Sequence, residues 1–436
     1  MPRNRVWLAL DFASLLALTA YVLLGVPLTP FHADEATQIA MSRDFFIQFV
    51  DGDLARLRYE SAQPLTAEMQ LRLINGTVSK TLIGLSWWLA GGKQEQLSGD
   101  WDWGAGWDYN VSTGRYPSPE LLAAARLPSA LFTAAAVTLM FALGWLLGGR
   151  PAAYLAAALF ALHPAILLNG RRAMMEGSLL FFALLILLAG IAFCRRPSWL
   201  GALMLGICGG CAIASKHTGA ALVAGVFAGV GVLLVAQRMW RVWLLLAVAA
   251  LLVLPTFVLL NPAWWGGDIV ELLGTIARWR QELITEQAAA LEGYQDFSAQ
   301  VEGFLRMSFG MQPQYFEVAG WQDILPIQQQ IAAYEASPWR GLGLGDAAAG
   351  SLLFMSLALL GASMLVFDAR VALTTRLPLF FWAAICVAVT VVSPLPWQRY
   401  YLPAYPTLLL FAAYAPFGCS RAITRWKVPQ RANASP

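Results

Sequence analysis

Residues 12–46 read FASLLALTAYVLLGVPLTPFHADEATQIAMSRDFF, and this stretch decides how the rest of the chain is interpreted. An uncharged apolar run ends just before two adjacent carboxylates, Asp34 and Glu35. The apolar pattern continues along the chain, since 58% of its 436 residues are hydrophobic and 13% are charged. The apolar residues fall in uncharged runs of about twenty, the length that spans a bilayer. This composition predicts an all-α polytopic membrane protein.

Long uncharged runs predict ten membrane spans. The first is expected to be a signal anchor, because its apolar stretch is longer than a signal-peptide core and lacks a small-residue cleavage pattern. One transmembrane domain is expected over residues 1–436, with outer loops at about 29–121 and 263–346. The ten runs lie near residues 6–28, 122–148, 152–169, 174–194, 198–215, 218–236, 242–262, 347–367, 377–396 and 400–418.

Charge distribution selects one topology. An eleventh apolar segment, near residues 73–91, contains Lys80 and could either span the membrane or lie on it. If it lies on the membrane and the N-terminus is inside, the inner side holds thirteen basic residues and one acid, Asp368. The two long outer loops then hold twelve acids with seven bases, and eleven acids with four bases. The positive-inside rule favours this arrangement, with an interfacial helix near 73–91 and both termini cytoplasmic.

A few charges remain associated with the spans. Charges at membrane depth are costly and usually mark a pathway or a site. In the predicted topology all of them except Asp11 lie at outer helix ends, on the same side as Asp34 and Glu35. These seven residues are Asp11, Arg126, Arg171, Arg172, Glu176, Lys216 and Arg399.

Structural explanations stand beside the functional one. Asp34 at a helix start is also an ordinary N-cap residue. The outer arginines could snorkel to the interface, an explanation that does not suit Glu176. Lys216 could serve only to set topology, and Tyr400 fits an interfacial aromatic belt. Tryptophans of the first outer loop suit either sugar stacking or interface anchoring.

Carboxylates on one side of an outer cavity and Lys or Arg on the other suit transfer of a group from a phosphate leaving group to a hydroxyl or amine. A carboxylate would accept the proton of the acceptor, and cations would neutralise the departing phosphate. The chain has no GxxxxGK loop, and its histidines, His32, His163 and His217, are widely spaced. Nucleotide hydrolysis and a histidine-based metal site are therefore disfavoured, and no nucleic-acid partner is indicated. A divalent cation could bind among the acids, but the spacing matches no specific site.

Five features together resemble the polyprenyl-phosphate-sugar-dependent glycosyltransferases, which include protein O-mannosyltransferases and bacterial aminoarabinose transferases. The resemblance implies a glycosyltransferase C fold of about 10–11 transmembrane helices, with juxtamembrane helices in the first outer loop. The features are the Asp34–Glu35 pair, ARLPSAL at Arg126, RRAMMEG at 171–177, the hairpin at Lys216 and RYYLPAYP at 399–406.

Roles for individual residues follow from this resemblance. Asp34 would be the catalytic base of an inverting transfer, and Glu35 would orient the acceptor or support the base. Glu176 matches the second acidic position of the family, near the sugar and the acceptor. Lys216 and Arg399 would hold the lipid phosphate, with Arg126 or Arg172 assisting. The neighbours His217 and Tyr400 complete the set of candidate substrate-binding residues.

The expected reaction transfers a sugar from an undecaprenyl- or dolichyl-phosphate carrier to a protein, lipid or glycan. It would take place on the outer or lumenal face of the membrane, in bacteria the plasma membrane. One alternative is a transporter or flippase of an anionic lipid, which predicts charges deep within spans and paired discontinuous helices. Only Asp11 fits the first of these expectations. A polymerase or ligase using diphosphate-linked oligosaccharides would want more outer arginines.

Overall fold

The computed structural model describes residues 2–60, 65–310, 312–343 and 348–426, which form helices and no strand. The helices of eight or more residues are α1 (Pro2–Leu24), α2 (Ala33–Met41), α3 (Ala67–Ile74), α4 (Thr77–Leu89), α5 (Pro119–Gly148), α6 (Arg150–Ala161), α7 (Pro164–Arg171), α8 (Glu176–Arg195), α9 (Trp199–Ser215), α10 (Gly219–Ala236), α11 (Trp243–Leu259), α12 (Ile269–Ala290), α13 (Phe297–Gly310), α14 (Leu325–Glu335), α15 (Ala348–Phe367), α16 (Leu373–Val391) and α17 (Tyr405–Trp426).

The predicted spans all coincide with helices. Within the described ranges, seven helices are long and apolar enough to cross a bilayer, or eight if the bent pair α6–α7 counts as one span. The remaining predicted spans, 198–215 and 400–418, correspond to the shorter α9 and to α17. Helix α17 begins at Tyr405 because a 3₁₀ turn, Gln398–Tyr400, precedes it. The protein is an integral membrane protein.

The predicted span at 152–169 is broken by a 59° bend between α6 and α7. Pro164 is the first residue of α7. Proline has no N–H to donate and disfavours helical geometry in the residue before it, so the helix ends and restarts there. The bend brings the end of α7, with Arg171, against the last turn of α1. Arg171 donates to the carbonyl oxygens of Tyr21 and Val22 at 2.7 and 2.8 Å.

Helix α4 accounts for the ambiguous segment near residues 73–91. It has 13 residues, a length of about 20 Å, whereas the bilayer core is about 30 Å thick. Its length therefore agrees with the predicted interfacial helix. Lys80 is buried, with Nζ donating to Asp44 Oδ2 at 2.7 Å, and Arg72 Nε donates to Asp44 Oδ1 at 2.8 Å. This network ties α4 to α3 and to the segment that follows α2, within the first outer loop.

The Asp44 network gives a stability prediction. In Asp44→Asn, Lys80 and Arg72 lose their shared buried carboxylate, and we expect the free energy of unfolding to fall by about 3 kcal/mol. Thermal or chemical unfolding of the purified protein measures this loss. The control Glu68→Gln removes the half-exposed second partner of Arg72, and its expected loss is below about 1 kcal/mol. Equal losses in the two variants would contradict the prediction.

The spans pack as one bundle, and the outer loops rest on one end of it. Helix α5 contacts α1, α6 and α8, while α10 packs on α16, α9 on α11 and α15 on α17. A cluster around Phe31, Trp101, Trp321 and Ile327 joins the first outer loop to the second. The outer segments are therefore held by apolar contacts with each other and with the bundle.

Charges assigned to the inner side meet each other at the other end of the bundle. Arg150 Nε and Nη2 each donate to Asp11 at 2.9 Å. Arg421 Nη1 lies 3.0 Å from Asp368. Asp11, the single charge that fitted the transporter alternative, is therefore paired with an arginine predicted to be cytoplasmic. This pairing agrees with the topology drawn from the charges.

Candidate active site

Helix α2 presents the Asp-Glu pair in its first turn. His32 is the N-cap, because its Nδ1 accepts from the Asp34 amide at 3.2 Å. Glu35 Oε2 accepts from the His32 amide at 3.0 Å, which completes a capping box. The structural alternative, in which Asp34 caps the helix, is therefore wrong. The Asp34 carboxylate is left to face a cavity, and 27% of its side chain is exposed.

Glu35 is fully buried and its oxygens are bonded within the protein. Arg126 donates to both, from Nε at 2.7 Å and from Nη2 at 2.8 Å. The amide of Ala173 donates to Oε1 at 2.8 Å. Burial opposes the charged form, but Arg126 and these hydrogen bonds outweigh it and lower the pKa of Glu35. Of the two roles predicted for Glu35, these contacts favour support of the base over contact with the acceptor.

Glu176 and Lys216 form the second carboxylate–cation pair. Glu176 is the first residue of α8, and its Oε1 accepts from Lys216 Nζ at 2.8 Å. Lys216 lies directly after α9, whose end approaches the first outer loop closely. A Cβ on Gly76 would lie 2.0 Å from the carbonyl oxygen of Ser215. Among the described residues, the buried Glu176 Oε2 accepts no hydrogen bond, although Glu176 lines the cavity.

Arg399 contacts two carboxylates. Its Nη1 is bonded to Asp34 Oδ2, and its Nη2 lies 3.1 Å from Glu317 Oε2. Burial raises the pKa of Asp34, but Arg399 and His32 outweigh it and lower that pKa to about 2. The same two carboxylates raise the pKa of Arg399, although burial opposes this.

One cavity of about 370 Å³ joins these groups. Both cations lie near the ring of Tyr400, with Lys216 Nζ at 5.3 Å and Arg399 Cζ at 5.7 Å from its centroid. Trp103, on the first outer loop, also lines the cavity and is half exposed, so its ring is available for stacking. The predicted site residues in the wall are Asp34, Glu176, Lys216, Arg399 and Tyr400.

Four other predicted residues lie outside the lining of this cavity. Glu35 and Arg126 bind each other behind α2. Arg172 donates to the carbonyl oxygens of Pro30 and Tyr315, at 3.3 and 2.9 Å. His217 is in edge contact with the rings of Phe257 and Trp264, and burial lowers its pKa to about 4. Arg126 and Arg172, predicted to assist at the lipid phosphate, and His217, predicted to bind substrate, are bonded or packed within the protein and do not line the cavity.

Three charged lining residues were missed by sequence reasoning. Glu317 belongs to an irregular segment without a distinctive pattern. Asp100, in the acidic first loop, accepts from Thr37 Oγ1 at 2.6 Å. Arg280 lies on α12, where it shares one helical face with Leu283 and Gln287, and Leu291 directly follows the helix; all of these line the cavity. That spacing of three and four residues was the available signal, since it marks the face that α12 turns inward.

The acids do not form a metal-binding group. In the part of the chain that the structure describes, no three His, Cys, Asp or Glu side chains are close enough to hold an ion together. Asp34 is bonded to Arg399, and Glu176 is bonded to Lys216. The arrangement can bind a phosphate between two cations, and it can offer a carboxylate to a hydroxyl or amine beside it.

Part of the chain matches a known protein family. Residues 72–272 match the family of dolichyl-phosphate-mannose-protein mannosyltransferases. That range includes Glu176 and Lys216 but neither Asp34 nor Arg399. Among functionally curated proteins, none matches the chain.

The fold is shared with solved membrane proteins. ArnT from Cupriavidus metallidurans in the apo state superposes with a TM-score of 0.51 at 15% identity, over 95% of this chain and 60% of that one. Another structure of ArnT, bound to undecaprenyl phosphate, gives 0.49 at 16% identity, over 96% and 62%. The Archaeoglobus fulgidus oligosaccharyltransferase, in a complex with Zn and sulfate, gives 0.50 at 15% identity, over 95% and 49%.

The chain thus spans about half to three-fifths of the length of these solved proteins. The family match and the shared fold confirm the resemblance seen in the sequence. The chain is a helical membrane protein of the glycosyltransferase C fold, related through residues 72–272 to the dolichyl-phosphate-mannose-protein mannosyltransferases.

Proposed function

We propose that the protein is a membrane glycosyltransferase that moves a sugar from a polyprenyl-phosphate carrier to a hydroxyl or amine acceptor. The observation that carries the proposal is that two cations, Lys216 and Arg399, lie within 6 Å of the centroid of the Tyr400 ring, each paired with a cavity carboxylate. A phosphate between Lys216 and Arg399 would put the sugar beside Asp34 and Glu176. The family description, with its lipid-phosphate mannose donor, supports the same donor class.

In the proposed step, Asp34 accepts the proton of the acceptor while the acceptor oxygen or nitrogen attacks the anomeric carbon of the sugar. The bond between that carbon and the phosphate oxygen breaks, and the electron pair leaves with the polyprenyl phosphate. Lys216 and Arg399 neutralise the charge that develops on the phosphate. Direct displacement inverts the anomeric configuration. Glu176 Oε2 would accept a hydrogen bond from a hydroxyl of the sugar or the acceptor.

The lipid carrier would enter from the bilayer, and apolar side chains of the cavity suit its first isoprene units. Leu71 and Ile74 on α3 face this space, and Leu283 and Leu291 line it from the α12 side. The charge distribution supports a site on the outer or lumenal face, with cytoplasmic termini. The acceptor is a protein, a lipid or a glycan.

A transfer assay tests the proposal. The purified full chain is reconstituted in liposomes that carry a radiolabelled polyprenyl-phosphate sugar, and membrane extract of the source cells supplies acceptors. We expect the label to move from the carrier to an acceptor and to release polyprenyl phosphate. Movement of the intact labelled lipid between leaflets, without transfer, would favour the flippase alternative.

Lys216 provides a second measurement of the same proposal. In Lys216→Gln one of the two cations at the phosphate is lost while hydrogen bonding to Glu176 is kept. We expect the KM for the donor to rise about tenfold, because a charge-assisted hydrogen bond contributes about 1.5–3 kcal/mol. Lys93→Gln, which changes a lysine of the first outer loop outside the cavity lining, is the control. An unchanged donor KM in Lys216→Gln would remove the phosphate role.

A further inference from the structure

The Arg399 guanidinium is shared between two carboxylates of unequal exposure. Its Nη1 is bonded to Asp34, and its Nη2 lies 3.1 Å from Glu317. We propose that Glu317 is a positioning residue that keeps Arg399 at the cavity wall while the donor phosphate replaces Asp34 on the guanidinium. Donor binding would then free Asp34 to accept a proton. This inference rests on the proposed function, because it extends the roles given there to Asp34 and Arg399.

The two carboxylates differ in how firmly they are held. The side chain of Glu317 is 5% exposed, whereas that of Asp34 is 27% exposed. His32 Nε2 lies 3.6 Å from Glu317 Oε2, which gives Glu317 a second partner. A ligand entering the cavity can therefore displace Asp34 at a lower desolvation cost than Glu317. The guanidinium has five N–H donors in a planar fork, so it can hold Glu317 and a phosphate together.

The backbone around this junction is held by a pair of glutamines. The backbone N–H of Gln314 donates to the side-chain Oε1 of Gln398 at 2.9 Å, and the backbone N–H of Gln398 donates to the side-chain Oε1 of Gln314 at 2.6 Å. Gln314 precedes Glu317 by three residues, and Gln398 directly precedes Arg399. The two segments are far apart in the chain and are joined here by side-chain amides. Glu317 and Arg399 are consequently held next to each other whether or not Asp34 is bound.

The second cation of the cavity is also paired with a carboxylate. Lys216, the second cation, is bonded to Glu176. Without a donor, each cation is thus neutralised by a carboxylate, which avoids leaving a partly buried charge unpaired. Replacement of Asp34 by a phosphate on Arg399 would also make Asp34 a stronger base. Burial raises its pKa, while Arg399 and His32 lower it to about 2, and a phosphate on Arg399 would weaken the largest of the lowering contributions.

Binding of undecaprenyl phosphate to the full chain in lipid nanodiscs tests the exchange without any transfer. We expect Asp34→Asn to bind this probe about five- to tenfold more tightly, because the phosphate no longer competes with a carboxylate for Arg399. Asp108→Asn removes the negative charge of an exposed aspartate of the first outer loop outside the cavity lining, and we expect its affinity to stay within about twofold of wild type. Glu317→Gln is expected to bind about fivefold more weakly, since Arg399 loses its anchor.

Glu317→Asp keeps the charge and is expected to lie between Glu317→Gln and wild type, which provides a second variant if Glu317→Gln does not fold. The pH profile adds a readout that would not change if Glu317 only stabilised the fold. The acid limb of kcat, measured with donor bound, is expected at higher pH than the acid limb of kcat/KM for the donor. In Glu317→Gln this separation should shrink.

Three results would overturn the inference: unchanged affinity in Asp34→Asn, an equal gain in Asp108→Asn, or tighter binding in Glu317→Gln. The proposed function is judged separately, by transfer. If Asp34→Asn loses transfer but binds the probe like wild type, the base assignment stands and the exchange fails. If Asp34→Asn transfers normally, the proposed function itself loses its base.

Discussion

Asp34→Asn is expected to lower kcat for sugar transfer about a thousandfold, within the range that a positioned general base contributes. The amide has nearly the shape of the carboxylate but cannot take the proton of the acceptor. The fold should survive, because the first turn of α2 is held by His32 and Glu35, and by Asp34 only through its backbone amide. The measurement is single-turnover release of labelled polyprenyl phosphate in proteoliposomes.

Asp100→Asn is the matched control for this experiment, because it makes the same chemical change at another carboxylate of the same cavity. We expect its transfer rate to stay within about threefold of wild type, since loss of a nearby charge alone has a small effect in a solvated cavity. If both variants lost transfer equally, the charge of the cavity would matter and no single base would be identified. Wild-type rates in Asp34→Asn would remove Asp34 from the chemistry.

Glu35→Gln is expected to cause the largest loss of stability, about 3–5 kcal/mol, because it leaves Arg126 buried without a counter-charge. The amide group of a glutamine would also point N–H donors at Arg126 or at the His32 amide, where the carboxylate now accepts. Thermal unfolding in detergent measures the loss. Glu302→Gln, an exposed glutamate of α13, is the control and should unfold like wild type.

The stability from Glu35 has a defined pH dependence. Despite burial, Arg126 and its hydrogen bonds lower the pKa of Glu35 below the ordinary value of 4.5. The carboxylate therefore stabilises the fold above about pH 4.5, and this contribution is lost as the pH falls through the lower pKa of the folded state. Wild type should lose stability more steeply than Glu35→Gln on acidification. A stable Glu35→Gln variant without transfer would instead favour the predicted role in orienting the acceptor.

Much of the fold follows from the sequence, because a membrane helix depends on the summed hydrophobicity of about twenty neighbouring residues. The apolar runs predict where the helices lie, and the basic residues between them predict an orientation. The break at Pro164 was readable in principle, since proline acts on its immediate neighbours. These are local properties, and they hold whatever the rest of the chain does.

The candidate site shows how far such reasoning extends. Asp34, Glu176, Lys216 and Arg399 were singled out because a charge at an outer helix end needs a reason, and the cavity brings all four together. Arg126 and Arg172 met the same criterion, but their side chains form hydrogen bonds within the protein and do not line the cavity. Glu317 met none, because an acid in an outer loop is unremarkable until its neighbours in space are known.

By itself the sequence determined that the protein is helical and that it lies in a membrane, and it predicted that its unusual charges, apart from Asp11, lie toward one side. The tertiary structure decided which carboxylate meets which cation. Arg126 is separated from Glu35 by 91 residues and Arg399 from Asp34 by 365. Pairing over such distances depends on how the helices pack, and packing is a property of the whole bundle.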